Sequence, residues 1–393
     1  MKDIESNKRK QVRVTRDQQR AAERTSLAIL RYVLNHPTAT RKDTAQSLQL
    51  SYPNVCRLVT FFQEQEVLVE EQSKQTGKRG PQSKTLSLRA DLGCTVGVDL
   101  ESTHIRAIAL DFANEFRGVF RRPITGDIKP ENIISMVADT ARSMLDLAHE
   151  QYLQIGAVGL ALPGPVIDEQ KGRIRTELQG GVADLEFVQA VQDKCDVATY
   201  ATANDLCFAL GHHRMNPPLD SRAEMLVLNR FGLSAVLVRG DQLLTGNLGL
   251  LPYGTDLPLR HYRDVCTGAA LLRLARSHGV SRQFQDLISS PADPITIEWL
   301  STATPAFAEA IYSAAMMYSP DQLIIEGIFS KLPKEVRANM IRLIENEMTR
   351  LGMTPPRVSF FEGDDLMGAR GAAFLARDRV ADDIITKILQ PGR

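Results

Sequence analysis

The chain has 393 residues, 43% of them hydrophobic, with 47 basic and 47 acidic side chains. That length suits two or three domains of ordinary globular composition. No stretch approaches the run of about 18 apolar residues that a membrane span needs. The charged segment Met1 to Arg24 lacks the apolar core of a signal peptide. Five scattered cysteines form neither a C-x-x-C pair nor a disulfide framework. The expectation is a reduced, cytoplasmic protein. The zero net charge hides an asymmetry: residues 1–90 hold roughly 17 Lys and Arg against about 9 Asp and Glu. A basic head on an acidic body suits a polyanion as partner of the head.

Residues 1–17 are polar and charged and read as a flexible basic arm. Helical periodicity over Gln18–Asn35 stops at His36-Pro37. Shorter helices fit Arg41–Leu48 and Tyr52–Gln65. Val67–Glu71 and Thr85–Leu88 read as two strands flanking a polar, basic loop with Gly77, Gly80 and Pro81. Beyond Gly93 the texture changes to strands alternating with helices, the pattern of an α/β body. Strands fit Val96–Asp99, Ile105–Asp111, Ile155–Ala161, Val197–Thr202, Met225–Leu228, Ala235–Val238 and Leu323–Glu326. Helices fit Ile133–Ala148, Leu206–His212, Gly268–His278, Pro305–Tyr318, Lys334–Leu351 and Gly368–Arg379.

The sharpest local signal is TRKDTAQSLQLSYPNVCRLVTFF at 40–62. Ala45 is small where two crossing helices need close approach. Ser51 can cap the second helix by accepting from a free backbone N–H, and Pro53 sits in its first turn, where a missing N–H costs nothing. Val55, Leu58, Val59 and Phe62 make an inward apolar stripe. Tyr52, Asn54, Arg57 and Thr60 are left to face outward, with Arg41 and Ser51 beside them. This is the pattern of a helix-turn-helix whose second helix reads a major groove. The hairpin after it carries TGKRGPQSK, and Lys78, Arg79 and Lys84 on a Gly/Pro-rich tip suit a wing on a phosphate backbone or in a minor groove. A generic helical hairpin with a solvated outer face is the bland alternative. The expected partner of this head is a double-stranded DNA operator.

VGVDLESTHIRAIALD at 96–111, GLALPGPV at 159–166, ATANDLCFALG at 201–211, SPDQLIIEG at 319–327 and EGDDLMGARGAAFLA at 362–376 follow one another in order. In this ordered set the chain resembles the ROK family (repressor, open reading frame, kinase), and with its winged head it resembles that family's repressor branch. The resemblance implies an α/β fold: an N-terminal winged helix-turn-helix followed by a two-lobed, actin-like, sugar-kinase-like (ribonuclease H-like) ATPase fold. The expected division is 18–91 for the head, 92–212 and 213–367 for the two lobes, and 368–393 for a C-terminal helix.

Asn204-Asp205 matches the family's sugar site, where the resemblance implies that both residues hold hydroxyls and the Asp acts as general base. Capping of the helix that starts near Leu206 is the structural alternative. Pro163, Gly164, Gln179 and Gly180 resemble the sugar-flanking loops. Three departures stand against phosphoryl transfer. The DxGGT turn of the kinases is Asp99-Leu100-Glu101-Ser102-Thr103, the second phosphate loop is Asn229-Arg230-Phe231-Gly232-Leu233, and the late GG is Glu326-Gly327. At an effective dielectric near 20, a Glu101 carboxylate about 4 Å from a phosphate charge is repelled by about 4 kcal/mol. The family's GExGH stretch aligns with Gly249-Leu250-Leu251-Pro252-Tyr253, which turns Leu250 and Tyr253 into apolar walls. Only Cys266 and His261 remain near the zinc cluster, too few for a structural site. The expectation is therefore a transcriptional regulator, acting as a repressor of carbohydrate-related genes. It has no enzymatic activity, cofactor or metal, senses a sugar-like effector, and works as a homodimer or homotetramer. The alternatives are a sugar kinase with a DNA-binding appendix and a ligand-independent DNA-binding protein.

Overall fold

The computed structural model describes residues 16–36, 39–72, 84–124, 129–150, 155–178, 181–216, 222–240, 242–254, 260–290 and 292–389. They fall into two compact units. One takes in residues 1–93 with 111–115 and 380–393; the other takes in 94–110 and 116–379.

In the first unit, α1 (Arg16–Asn35), α2 (Arg41–Ser47) and α3 (Tyr52–Glu64) precede the antiparallel pair β1 (Leu68–Gln72) and β2 (Lys84–Leu88). A capping box starts α2: the Thr40 hydroxyl accepts from the Asp43 N–H, and the Asp43 carboxylate accepts from the Thr40 N–H. Ile29, Leu30 and Val33 of α1 meet Val55, Val59 and Phe62 of α3 and Leu86 and Leu88 of β2 in one core, each at most 1% exposed. The apolar stripe read from α3 is therefore the stripe that is buried. Ser51 does stand at the N-cap of α3, but its side chain makes no capping hydrogen bond. Pro53 in the first turn supplies the helix start in its place.

The second unit is built twice on one plan. Its first sheet contains β3 (Cys94–Leu100), β4 (His104–Asp111) and β5 (Phe116–Pro123); after α4 (Pro130–His149) comes β6 (Ile155–Leu162). A small three-stranded sheet follows, β7 (Val166–Asp168), β8 (Arg173–Leu178) and β9 (Gly181–Glu186), then α5 (Val188–Cys195), β10 (Thr199–Ala203) and α6 (Asn204–Met215). The second half opens with β11 (Glu224–Asn229), β12 (Leu233–Arg239) and β13 (Gln242–Gly246). A short pair, β14 (Pro252–Tyr253) and β15 (Arg260–His261), leads to α7 (Gly268–Ser277), α8 (Phe284–Ile288) and α9 (Pro294–Tyr318). β16 (Gln322–Gly327), α10 (Lys334–Arg350), β17 (Arg357–Phe360) and α11 (Met367–Leu389) as far as Arg379 complete it.

The main sheets run β5-β4-β3-β6-β10 and β13-β12-β11-β16-β17. In each, three strands form an antiparallel meander, and two more add in parallel to its first strand. This duplicated order is the two-lobed α/β architecture expected from the resemblance. Helix α11 lies directly on the first sheet because glycines leave room for its backbone. A Cβ on Gly97 would sit 1.9 Å from the Ala369 carbonyl oxygen, and one on Gly159 would sit 1.8 Å from that of Ala372. Among the described residues no helix is long and apolar enough to cross a membrane.

Helix α9 begins at Pro294, capped by the Asp293 carboxylate, and runs through Pro305. The expected start at Pro305 is thus corrected. Trp299 and Ala303 before the proline and Phe307 after it are all buried, so packing on both sides outweighs the backbone hydrogen bond lost at Pro305.

Candidate functional site

Two regions bring the singled-out residues together. The first is the outer face of α3. Tyr52 is 52% exposed, Arg57 and Thr60 are exposed, and Asn54 is half-buried. An Arg57 guanidinium N–H donates to the Asn54 side-chain oxygen over 3.1 Å, so the two are presented as a pair. Lys84 opens β2 with its side chain exposed. Lys78, Arg79 and the rest of the wing tip lie outside the described residues.

Arg41 touches this face only at Thr60 and is otherwise committed to Glu70 and Gln63. Its Nε and Nη2 donate to the two carboxylate oxygens of Glu70 at 2.9 Å each, Nη2 also reaches the Gln63 side-chain oxygen at 2.9 Å, and Nη1 reaches the Thr60 hydroxyl at 3.4 Å. The ion pair is largely enclosed, with Arg41 20% and Glu70 13% exposed. A guanidinium with five donors so committed is a strut tying α2, α3 and β1 together. Its hydrogen bond to Glu70 holds the arginine pKa up against the opposing effect of burial. Sequence spacing sees the outward position of Arg41 on α2 but not Glu70, which lies 29 residues away.

The second region is a cavity of about 670 Å³ between the two sheets of the body. Pro163, Gly164, Asn204, Asp205 and Leu250 line it, as the sequence reading requires. Tyr253 does not; it packs on Tyr262 with ring centroids 5.4 Å apart, at the edge of the second lobe's core. Gln179 and Gly180 lie outside the described residues. Asp205 is 9% exposed and serves two ends. One carboxylate oxygen accepts from the Leu206 N–H at 2.7 Å in the first turn of α6, and the other accepts from the Thr245 hydroxyl at 3.0 Å. Nearby, Glu169 accepts from the Thr202 hydroxyl at 2.9 Å, and both line the same cavity. Two carboxylates engaged by hydroxyls rather than by cations keep acceptor positions for the hydroxyls of a ligand. Glu169 is not legible in the sequence, because it sits on the turn between β7 and β8, which carries no motif.

Glu101 also lines the cavity, but as part of a charged network that the sequence does not reveal. Its carboxylate pairs with Arg106 at 2.9 Å and with Arg230. Arg230 in turn pairs with Glu326 at 2.8 Å, and Arg106 pairs with Asp365 at 2.9 Å. Burial would push the Glu101 pKa up, but Arg230 and Arg106 outweigh it and hold it below the usual carboxylate range. A single arginine thus joins the β3–β4 turn of one lobe to the end of β16 in the other. Two guanidinium groups offset the Glu101 carboxylate locally, but each is shared with a second carboxylate, Glu326 or Asp365, so the set of two arginines and three carboxylates keeps a negative balance.

A zinc set does not fit the residues present. The Cys266 thiol is buried and donates to the Tyr262 carbonyl, while His261 faces Asp264 at 3.5 Å. Among the described residues no three His, Cys, Asp or Glu side chains are grouped to hold a metal ion.

Residues 95–252 match the family model for ROK. No curated protein matches the chain. Among solved structures, the chain is similar to a ROK family transcriptional regulator described as a homologue of the E. coli Mlc protein. The TM-score is 0.68 at 13% identity, covering 95% of this chain and 100% of that one. It is also similar to the ROK hexokinase of Thermus thermophilus (0.59, 21% identity, 74% and 99% covered). A third is a ROK family glucokinase of Streptomyces griseus in complex with glucose and AMPPNP (0.56, 17% identity, 73% and 100% covered). The fold that carries the cavity is thus shared with sugar kinases, and the expectation of a body without enzymatic activity does not stand. The chain carries a ROK family domain, at residues 95–252.

Proposed function

We propose that this protein is a DNA-binding transcriptional regulator whose body takes a polyhydroxylated, sugar-like ligand in the cavity between its lobes. The head carries this reading: α3 presents Tyr52, Asn54 and Arg57 outward on a helix-turn-helix framework that Arg41 braces from within. The similarity to a regulator spans 95% of the chain, whereas the kinases account for 73–74% of it. Two heads of a homodimer, or of a homotetramer, would meet half-sites about one helical turn apart. Ligand closure of the lobes would favour one spacing of the heads, provided that the ligand binds the two closure states unequally. Repression of carbohydrate-related genes in the cytoplasm is the role this arrangement suits.

Selection of a bound sequence from random duplexes by the full-length protein tests the DNA-binding half. On the selected operator, Arg57→Ala should weaken the complex by about 1–3 kcal/mol in an anisotropy titration. Unchanged affinity would remove Arg57 from the reading set. A thermal-shift screen of sugars, sugar phosphates and polyols tests the other half, since a ligand bound to the native state raises apparent stability. One stabilising sugar-like compound is expected, and Asp205→Ala should abolish its shift while the unliganded midpoint stays measurable. A screen with no stabilising compound would leave the body as a dimerising unit only.

A second reading, a sugar kinase with a DNA-binding head, is favoured by Asp205 lining the cavity of a fold shared with sugar kinases. Incubating the stabilising compound with ATP and magnesium and measuring its phosphorylated product separates the two.

A further inference from the structure

The head carries an open hollow between α2 and the first turn of α3, lined by Lys42, Ala45, Gln46, Leu50 and Tyr52. Ala45, 7% exposed, and half-buried Leu50 make its floor. The Tyr52 ring forms a wall. Lys42 and Gln46 stand exposed at the rim. At 100° per residue along α3, Tyr52, Cys56 and Thr60 make one stripe and Pro53 and Arg57 the next. The hollow therefore lies one stripe away from Arg57, whose guanidinium donates to Asn54.

The charge around it favours a polyanion. Asp43 is spent on the cap of α2 and Glu70 on Arg41, so neither opposes a phosphate, and Lys42 remains at the rim. The apolar floor narrows the partner further. The floor of the major groove presents hydrogen-bond donors and acceptors at every base pair, and a single apolar group, the C5-methyl of thymine. We propose that the Ala45–Leu50–Tyr52 hollow takes a thymine methyl, so that the head reads one T·A pair by apolar contact beside the polar reading by Asn54 and Arg57. With Arg41 turned inward, this contact is what α2 and the turn contribute to base reading. The inference rests on the proposed DNA-binding role of the head and adds to it a base and the side chains that select it.

The test deletes the methyl and leaves the protein untouched. On the operator selected by the full-length protein, each thymine in turn is replaced by deoxyuridine. One position per half-site should lose about 3–5-fold in affinity, the effect of one buried methyl, while the others change less than twofold. In Leu50→Ala, and independently in Tyr52→Ser at the exposed wall, that penalty should disappear. Uniform tolerance of deoxyuridine would overturn the proposal and leave DNA binding intact. A penalty that persists undiminished in both variants would place the methyl elsewhere and overturn it too. If no sequence is enriched at all, the DNA-binding reading and this one fall together.

Discussion

Replacing Arg230 by methionine should destabilise the body by about 3–5 kcal/mol, the usual consequence of leaving a buried charge without its partner. Arg230 is 21% exposed and stands between Glu101 at 17% and Glu326 at 13%. Its guanidinium also lies 5.6 Å from the centre of the Phe208 ring. Methionine keeps much of the aliphatic volume and removes only the charge and its donors. Glu101 retains Arg106, so the charge stranded by the substitution is that of Glu326. Adding Glu326→Gln to Arg230→Met should therefore recover a large part of the loss, and that non-additivity is the specific signature. Calorimetry should place the single variant's midpoint roughly 6–15 °C below the parent. A fall equivalent to less than about 1 kcal/mol would mean that the network behaves as a solvated surface pair. The same substitution tests the cavity, because Arg230 links the two lobes that form it: ligand affinity should fall more than the loss of one wall contact explains.

How far such a network is legible beforehand depends on sequence separation. The apolar stripe Val55, Leu58, Val59, Phe62 and the flanking Pro53 are local, and they specify α3 before any tertiary contact exists. The strands of the body are equally plain where both faces are buried, as in β3, whose seven residues are all buried. β5 is not plain: Phe116–Pro123 is the edge strand of its sheet and carries Arg117, Arg121 and Arg122, a composition that reads as loop. The sequence pattern starts α9 too late because a proline is a start signal in most helices, whereas Pro305 is a passenger in this one. In the cavity, Asp205 and Leu250 follow from motif positions. Glu169 and the hydroxyl partners Thr202 and Thr245 do not, since their roles arise only when β7, β10 and β13 converge. The pairing of Glu101 is hidden for the same reason: its partner Arg230 lies 129 residues later.

Asp99→Asn should stabilise the body at pH 8 and leave it unchanged near pH 4. Asp99 is fully buried, and neither of its carboxylate oxygens has a hydrogen-bond partner among the described residues. Burial, then the neighbouring Glu101, raises its pKa to about 7, against the pull of Arg230 and Arg106; Glu326 adds to the rise. In the unfolded chain an aspartate titrates near 3.9. Between about pH 4 and pH 7 the folded state thus holds a proton that the unfolded state has released, and stability falls as pH rises through that window. Above pH 7 the full penalty is on the folded state, on the order of 4 kcal/mol for a shift of this size. Asparagine has the shape of the protonated acid and cannot ionise, so the variant should lack this slope. Denaturation midpoints measured from pH 4 to pH 8.5 should coincide at the acid end and diverge toward the alkaline end, with the variant higher. Parallel curves would mean that Arg230 and Arg106 keep Asp99 ionised throughout, and would move it from the uncompensated groups into the same network that holds Glu101.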